Sequence, residues 1–280
     1  MSDKFAVFIL SHGRAGNVKT YHTLRKAGFS GDIYVVIDDE DGDGEKYKEE
    51  FGKFCLEFCK QEYMDKADTV STDGTRISAL FARLAIMDFA KSLDLDYYCM
   101  LDDDVERIIY RYPDGNKLKG MDIVKADYMF DSILKFMKNA KLKVLGLQLA
   151  EGLIGGLYGI YKSGLMNQVL CGGYLFSRET DYRFFSSVNE DTIASLDYLS
   201  RGGLAWRLGC ITIKTPERGT NAGGLSEDYA KKNWYYIDMH AVVVAPWCCK
   251  IDVDNGNRQK IDMRFARPRV LSERYKRSMK

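Results

Sequence analysis

Three carboxylates in a row, Asp102-Asp103-Asp104, follow directly on the apolar and aromatic run Tyr97-Tyr98-Cys99-Met100-Leu101. One Asp at the end of a strand is an ordinary turn signal. Three together repel one another, and nothing in the adjacent sequence compensates them. Such a cluster persists either in water or around a cation. Asp102 and Asp104, at i and i+2, offer the oxygen-only ligation suited to a hard divalent ion that also accepts phosphate oxygens. The run reads as a metal and nucleotide-diphosphate site or, more plainly, as a solvated acidic turn, because short acidic motifs have many chance matches. A second acidic pair, Glu190-Asp191, follows Asn189 at the start of a helix predicted to reach Arg201. Carboxylates there also compensate the helix dipole. His240 stands in the apolar run Trp234–Ala245, which reads as a strand. A histidine in such a run is ordinarily a satisfied core residue, and its other use is as a nitrogen ligand to a metal.

The elements that must position these groups alternate between strand and helix. Lys4–Leu10 is a continuous apolar run, the mark of a strand buried on both faces of a parallel sheet. It ends in Ser11-His12-Gly13-Arg14-Ala15-Gly16, after which Asn17 can cap a helix that stops at Gly28. A second strand, Ile33–Ile37, runs into the acidic loop Asp38-Asp39-Glu40-Asp41. A βαβ opening of this kind puts ligand chemistry at the carboxyl ends of its strands. Glu45–Lys53 is expected to be helical, Phe54–Phe58 extended and Thr69–Ser71 a short strand. Thr72–Thr75 then caps a long helix, Arg76–Leu93. Tyr97–Leu101 forms the strand that carries the carboxylates. Val105–Tyr110 is a further strand closed by the turn Pro113-Asp114-Gly115-Asn116, followed by a helix over Asp122–Lys141 and a strand over Val144–Leu149.

The second half is less regular. The glycines at 152, 155, 156 and 159 fall in a loop whose spacing is no dinucleotide fingerprint. Gln168–Phe176 reads as a strand interrupted at Gly172-Gly173, where a bulge or a close approach to the backbone is expected. Ile211–Lys214 is a strand, and Pro216–Ser226 a polar loop of lid type. From Arg258 the tail is basic, with Phe265 and Tyr275 interleaved: a solvated terminus or a track for a nucleic-acid backbone.

The whole chain has 280 residues, 46% of them hydrophobic, and a formal net charge of +1. That supports a sizeable core and excludes a global field pulling the protein to nucleic acid or membrane, so any such attraction is local. Met1–Leu10 lacks the pattern of a signal peptide, and no apolar run reaches membrane-spanning length. The seven scattered cysteines lack zinc spacing and read as reduced thiols of a cytoplasmic protein.

Taken in order, the Ser11-His12-Gly13-Arg14 loop, the Ile37-Asp38-Asp39 strand end, the Arg76–Arg83 helix and Leu101-Asp102-Asp103-Asp104 resemble a GT-A glycosyltransferase. Within that fold, FILSHGRAGN, YVVIDDED and CMLDDDV are similar to the TET/JBP-associated group. That group includes the base J glucosyltransferase and phage enzymes that glycosylate hydroxymethylated pyrimidines in DNA. The resemblance covers the first 110 residues or so well and the rest loosely. It implies an α/β fold with a Rossmann-like nucleotide-binding half and a mixed central sheet. One domain is expected: about 1–110 for the nucleotide sugar, about 111–257 for the acceptor, and 258–280 as the basic tail.

The resemblance also implies roles. Asp102 and Asp104, with the late histidine His240, would hold Mn²⁺ or Mg²⁺ against the donor diphosphate, and Asp102 could instead lean on the ribose. Ser11, Arg14, Asp38, Arg76 and Asp103 would line the nucleotide-sugar pocket, His12 would orient the loop, and Arg83 would be a solvated surface residue. Asp191, with Glu190 beside it, would be the base that deprotonates the acceptor hydroxyl. The implied reaction is an inverting transfer from a UDP-sugar to a 5-hydroxymethylpyrimidine in DNA. Alternatives are a glycan, lipid or protein acceptor, a nucleotidyltransferase, which would release pyrophosphate, and a binding module without turnover.

Overall fold

The structure is a computed structural model and describes residues 3–67, 76, 78–115, 117–150, 168–216, 234–253, 258–263 and 265–266. Nine strands form one sheet. Its first half is parallel. The apolar runs of β1 (Phe5–Leu10), β2 (Asp32–Asp38) and β4 (Tyr97–Asp102) place β1 between β2 and β4, and β3 (Cys55–Phe58) extends β2. Between them lie α1 (Lys19–Lys26), α2 (Gly44–Phe51), α3 (Lys60–Lys66) and α4 (Ala79–Ser92).

The second half is mixed. β5 (Arg107–Asp114) and β6 (Lys117–Asp122) form a hairpin. They are followed by α5 (Ala126–Ala140), β7 (Val144–Leu149), β8 (Gly173–Ser177), α6 (Glu190–Ser200) and β9 (Trp206–Lys214). The strand order is β3-β2-β1-β4-β8-β7-β9-β5-β6, with β8 antiparallel to both β4 and β7. The chain then forms α7 (Trp234–Val244) and a separate hairpin of β10 (Cys249–Asp252) and β11 (Arg258–Ile261).

Both faces of the parallel half of the sheet are covered, as runs without alternation require. Successive residues of β1 point into two cores. Ala6 and Phe8 meet Leu80, Phe81, Ala85 and Ile86 of α4, whereas Val7 and Ile9 meet Leu24 of α1 and Phe130 and Ile133 of α5. The helices that carry these residues repeat their apolar positions every three or four residues, so each lays one stripe on the sheet. α6 and α7 share the α4 side. That layer faces the carboxylates at the end of β4.

Several expected elements differ. Trp234–Ala245 is not a strand but α7. Its buried residues Ile237, Ala241 and Ala245 recur every four positions, a helical spacing that the Val-Val-Val run obscures. β6 was not anticipated, because its residues are nearly all exposed at a sheet edge and carry no alternation signal. Pro113 and Asp114 belong to β5 rather than to the turn, α5 begins at Ala126 rather than Asp122, and β9 starts at Trp206. α4 begins at Ala79, capped by Ser78, whose Oγ accepts the Leu80 N–H at 3.1 Å. Arg76 therefore lies before the helix. The expected strand Thr69–Ser71, the Thr72–Thr75 cap, the glycine loop at 152–159 and nearly all of the lid loop fall outside the described residues. No helix among the described residues is long and apolar enough to cross a membrane.

Candidate active site

The loop after β1 and the acidic triplet after β4 are neighbours because Leu10 and Asp102 pair in the parallel ladder. Thr20 of α1 pins the triplet: its Oγ1 donates to the Asp102 carbonyl at 2.6 Å and accepts the Val105 N–H at 2.8 Å, and its N–H donates to the Asp103 carbonyl at 3.0 Å. The three side chains then divide. Asp103 turns inward, where the Ser11 hydroxyl donates to it at 2.6 Å and the Arg14 guanidinium binds it directly. Tyr47 completes this knot, its hydroxyl bonding Ser11 Oγ and accepting the Arg14 N–H, each at 2.8 Å. Burial, opposed by Arg14 and Ser11, raises the Asp103 pKa. Asp102 and Asp104 are partly exposed, and Asp104 lies 3.8 Å from Arg14.

A second cluster sits at the end of β2. Buried Asp38 accepts from His12 Nδ1 at 2.8 Å and from Lys60 Nζ at 2.9 Å. Burial pushes its pKa up, but the bonds to His12 and Lys60 outweigh that and hold it at about 2, while the Asp38 bond raises that of His12. Arg76 joins from the side, bonding Glu40 and, at 2.9 Å, Gln61. Because the folded-state pKa of Asp38 is depressed, its stabilisation is complete above the ordinary carboxylate range and is lost as pH falls towards 2. Replacing Asp38 by Asn should therefore cost about 2 kcal/mol near neutrality and flatten the loss of stability between about pH 4 and 2, read by urea unfolding across pH.

The third cluster was hidden in the sequence. Arg83, expected on the surface, is 2% exposed. Its guanidinium lies over the rings of Tyr174 and Phe184, at 5.2 and 5.4 Å from their centroids. Its Nη2 meets Asp102 at 3.5 Å and both Glu190 and Asp191 at 3.4 Å. The Tyr174 hydroxyl donates to Asp191 Oδ1, and the Arg83 Nε–H is buried without an acceptor among the described residues. One cation thus serves three acids. Arg83 gains from each of them and titrates far above its usual range, although desolvation opposes this. Asp102 and Glu190 are each favoured as anions by Arg83 and disfavoured by burial and by their acidic neighbours. Removal from bulk water and the charges of Asp191, Asp104 and Glu190 leave Asp102 at about 7 despite Arg83. Desolvation and the charge of Asp191 raise Glu190 as well, against the pull of Arg83. Carboxylates from the end of β4 and the start of α6 therefore meet on one guanidinium.

His240 is placed mid-helix on α7. Among the described residues no three His, Cys, Asp or Glu side chains form a metal-holding group, so the structure does not gather His240 with Asp102 and Asp104. At Gly172 and Gly173 leucine side chains approach the backbone closely. A Cβ would meet Leu149 Cδ2 at 2.6 Å at Gly172, where φ is +75°, and Leu101 Cδ2 at 3.0 Å at Gly173. Arg258 and Lys260, the first cations of the expected tail, lie in β11 and pair with Asp238 and Asp252. The rest of the tail from residue 267 lies outside the described residues. The cysteines among the described residues are free thiols, with Cys248 and Cys249 buried side by side.

The sequence pattern of the TET-associated glycosyltransferases matches residues 5–224, most of the chain. The chain belongs to that family. This glycosyltransferase has the GT-A architecture, in which a parallel half closes on an acidic motif and continues into a mixed sheet. No curated protein matches it. Among solved structures it is similar to glucosyl-3-phosphoglycerate synthase from Mycobacterium tuberculosis in complex with Mg2+ and UDP, with a TM-score of 0.45, 10% identity, and coverage of 78% of this chain and 73% of that one. It is also similar to S. aureus TarS 1-349 in complex with UDP-GlcNAc, with a TM-score of 0.49 and 12% identity. That likeness covers 86% of this chain and 66% of TarS 1-349, just under two thirds of its length.

Proposed function

We propose that this glycosyltransferase moves a sugar from a UDP-sugar to the hydroxymethyl group of a 5-hydroxymethylpyrimidine in DNA, with inversion at the anomeric carbon. The observation that carries the reading is the meeting of Asp102, Glu190 and Asp191 on Arg83 at the mouth of β4. This puts a diphosphate-side acid and an acceptor-side acid in one cleft. The family name points to TET chemistry, and the resemblance in the motifs points to hydroxymethylated pyrimidines in DNA as acceptors.

The donor nucleotide lies across the carboxyl ends of β1, β2 and β4. The Ser11–Arg14 loop and Arg76 line it, while Asp103 and Asp38 hold that pocket in shape from beneath, Asp38 through His12 and Lys60. The donor set at the end of β4 fits a divalent ion. Asp102 and Asp104 would be its oxygen ligands, and a hard divalent ion of this kind also takes diphosphate oxygens and water. Bound there, Mn²⁺ or Mg²⁺ would offset the charge that develops on the departing diphosphate.

Asp191 is the base. Its side chain is 26% exposed against 8% for Glu190, and its Oδ1 is held by Tyr174. It takes the hydroxymethyl proton as the oxygen attacks the anomeric carbon, and the bond from that carbon to the diphosphate breaks. A base in duplex DNA has to be flipped out of the stack to reach it. The donor is assigned to residues 1–110 or so and the acceptor to about 111–257, in a cytoplasmic enzyme.

A panel of UDP- and GDP-sugars with Mn²⁺, followed by nucleoside mass analysis of hydroxymethylated DNA, tests the reading. The expected result is a sugar adduct on the hydroxymethylpyrimidine with a UDP-sugar and none on unmodified DNA. Transfer to a glycan, lipid or protein with none to DNA, or release of pyrophosphate, would overturn it.

A further inference from the structure

Asn189 is the N-cap of α6, yet it does not cap. Its side chain makes no bond to the first turn of the helix, and its backbone is left-handed, with φ +53° and ψ +31°. Asparagine tolerates that region better than most residues, but a non-glycine residue there is uncommon and needs support. The support comes from far along the chain. The Asn189 Nδ2 donates to Gln259 Oε1 at 2.8 Å, and Gln259 Nε2 returns a longer bond of 3.5 Å to Asn189 Oδ1.

Gln259 lies on β11 and is itself fixed. Its backbone N–H donates to Asp238 Oδ2 at 2.8 Å, and the neighbouring Arg258 Nε donates to the same oxygen at 2.6 Å. Asp238, on α7, is 1% exposed. A buried carboxylate two residues from His240 thus anchors the C-terminal hairpin, and the hairpin reaches across to the residue before Glu190. The segment entering Asn189 is held from the other side as well, where Ser78 Oγ at the start of α4 donates to the Ser187 carbonyl at 2.9 Å. Rotation at Asn189 would swing the first turn of α6, and with it Glu190 and Asp191.

We infer that Gln259, seated by Asp238, is a positioning residue for Asp191: the β10–β11 hairpin holds Asn189 left-handed and so fixes the direction in which the first turn of α6 presents its acid. The inference rests on Asp191 being the base. Gln259 touches neither donor nor acceptor and acts only through Asn189. The hairpin is docked independently by apolar packing, since Cys249, Ile261, Met263 and Ala266 lie in the same core as Ile193 and Ala194 of α6. Removing the amide at residue 259 therefore leaves it in place.

The test compares Gln259→Met with Gln259→Glu in the full chain. Methionine keeps the length and loses the amide, whereas glutamate keeps the oxygen that accepts from Asn189. Gln259→Met is expected to lower kcat for sugar transfer about tenfold with donor KM within about twofold of the parent, because misplacing a reacting group slows chemistry without weakening donor binding. It should also speed amide hydrogen exchange over residues 193–196, beginning with the Ile193 N–H that donates to the Asn189 carbonyl at 3.1 Å. Gln259→Glu should restore both. Parent-like kcat and exchange in Gln259→Met, a rise in donor KM matching the fall in kcat, or a Gln259→Glu variant as impaired as Gln259→Met would each overturn the inference. If the parent itself transfers no sugar, the functional reading fails, and the exchange comparison still decides whether the hairpin holds the helix start.

Discussion

Replacing Asp191 by Asn should slow sugar transfer by about a thousandfold while leaving UDP-sugar binding close to that of the parent, the size of effect expected when a general base is removed. The geometry makes this variant a clean one. Tyr174 donates to Asp191 Oδ1, a bond that an Asn carbonyl oxygen accepts equally well, so the aromatic cluster around Tyr174 and Phe184 has no reason to move. What is lost is the charge and the basic oxygen. The companion variant Glu190→Gln should be much milder, because Glu190 is buried against Arg83 and reached less readily by an acceptor. Steady-state transfer to a hydroxymethylated oligonucleotide, together with UDP-sugar titration, separates the two. A larger loss for Glu190→Gln than for Asp191→Asn would move the base to Glu190.

Arg83→Met carries the second large effect, on stability as well as on rate. A buried guanidinium that meets Asp102, Glu190 and Asp191 stabilises chiefly by preventing their mutual repulsion. Deleting one partner of a buried ion pair costs about 3–5 kcal/mol, since the remaining charge is left without compensation. Methionine fills the space against Tyr174 and Phe184 but supplies no charge. Urea unfolding should show the midpoint falling accordingly, and transfer should be lost with it. Arg83→Lys should recover part of the stability and little of the rate, because one ammonium cannot present a planar fork to acids from two elements. A variant with parent stability would mean that the guanidinium is dispensable where it lies.

How much of this was legible in the sequence depends on the range of the interactions. The parallel half could be read because β1, β2 and β4 are short apolar runs buried on both faces, a signal contained in each segment. The acidic triplet and the Asn189-Glu190-Asp191 helix start were legible for the same reason. The partnerships were not. Arg83 looked solvated because charge on a helix usually is; its partners Asp102, Glu190 and Asp191 are 19 to 108 positions away and only the sheet brings them together. The His12 and Lys60 partners of Asp38 are likewise 26 and 22 positions away and carry no local signal. The one available clue to Arg83 was its place at helical spacing among Leu80, Ala85 and Ile86, on the face that α4 buries. In α7, Val-Val-Val weighs towards strand locally, although Ile237, Ala241 and Ala245 mark a helix face. Asp238 gave no signal at all, since its partners on β11 are 20 and 21 residues on.

The most direct measurement is sugar transfer by the double variant Asp102→Asn plus Asp104→Asn, with UDP-sugar, Mn²⁺ and hydroxymethylated DNA, read as adduct mass over time. Two amides in place of the two carboxylates should abolish adduct formation while the chain stays folded. An adduct formed at the parent rate would contradict the account at its centre.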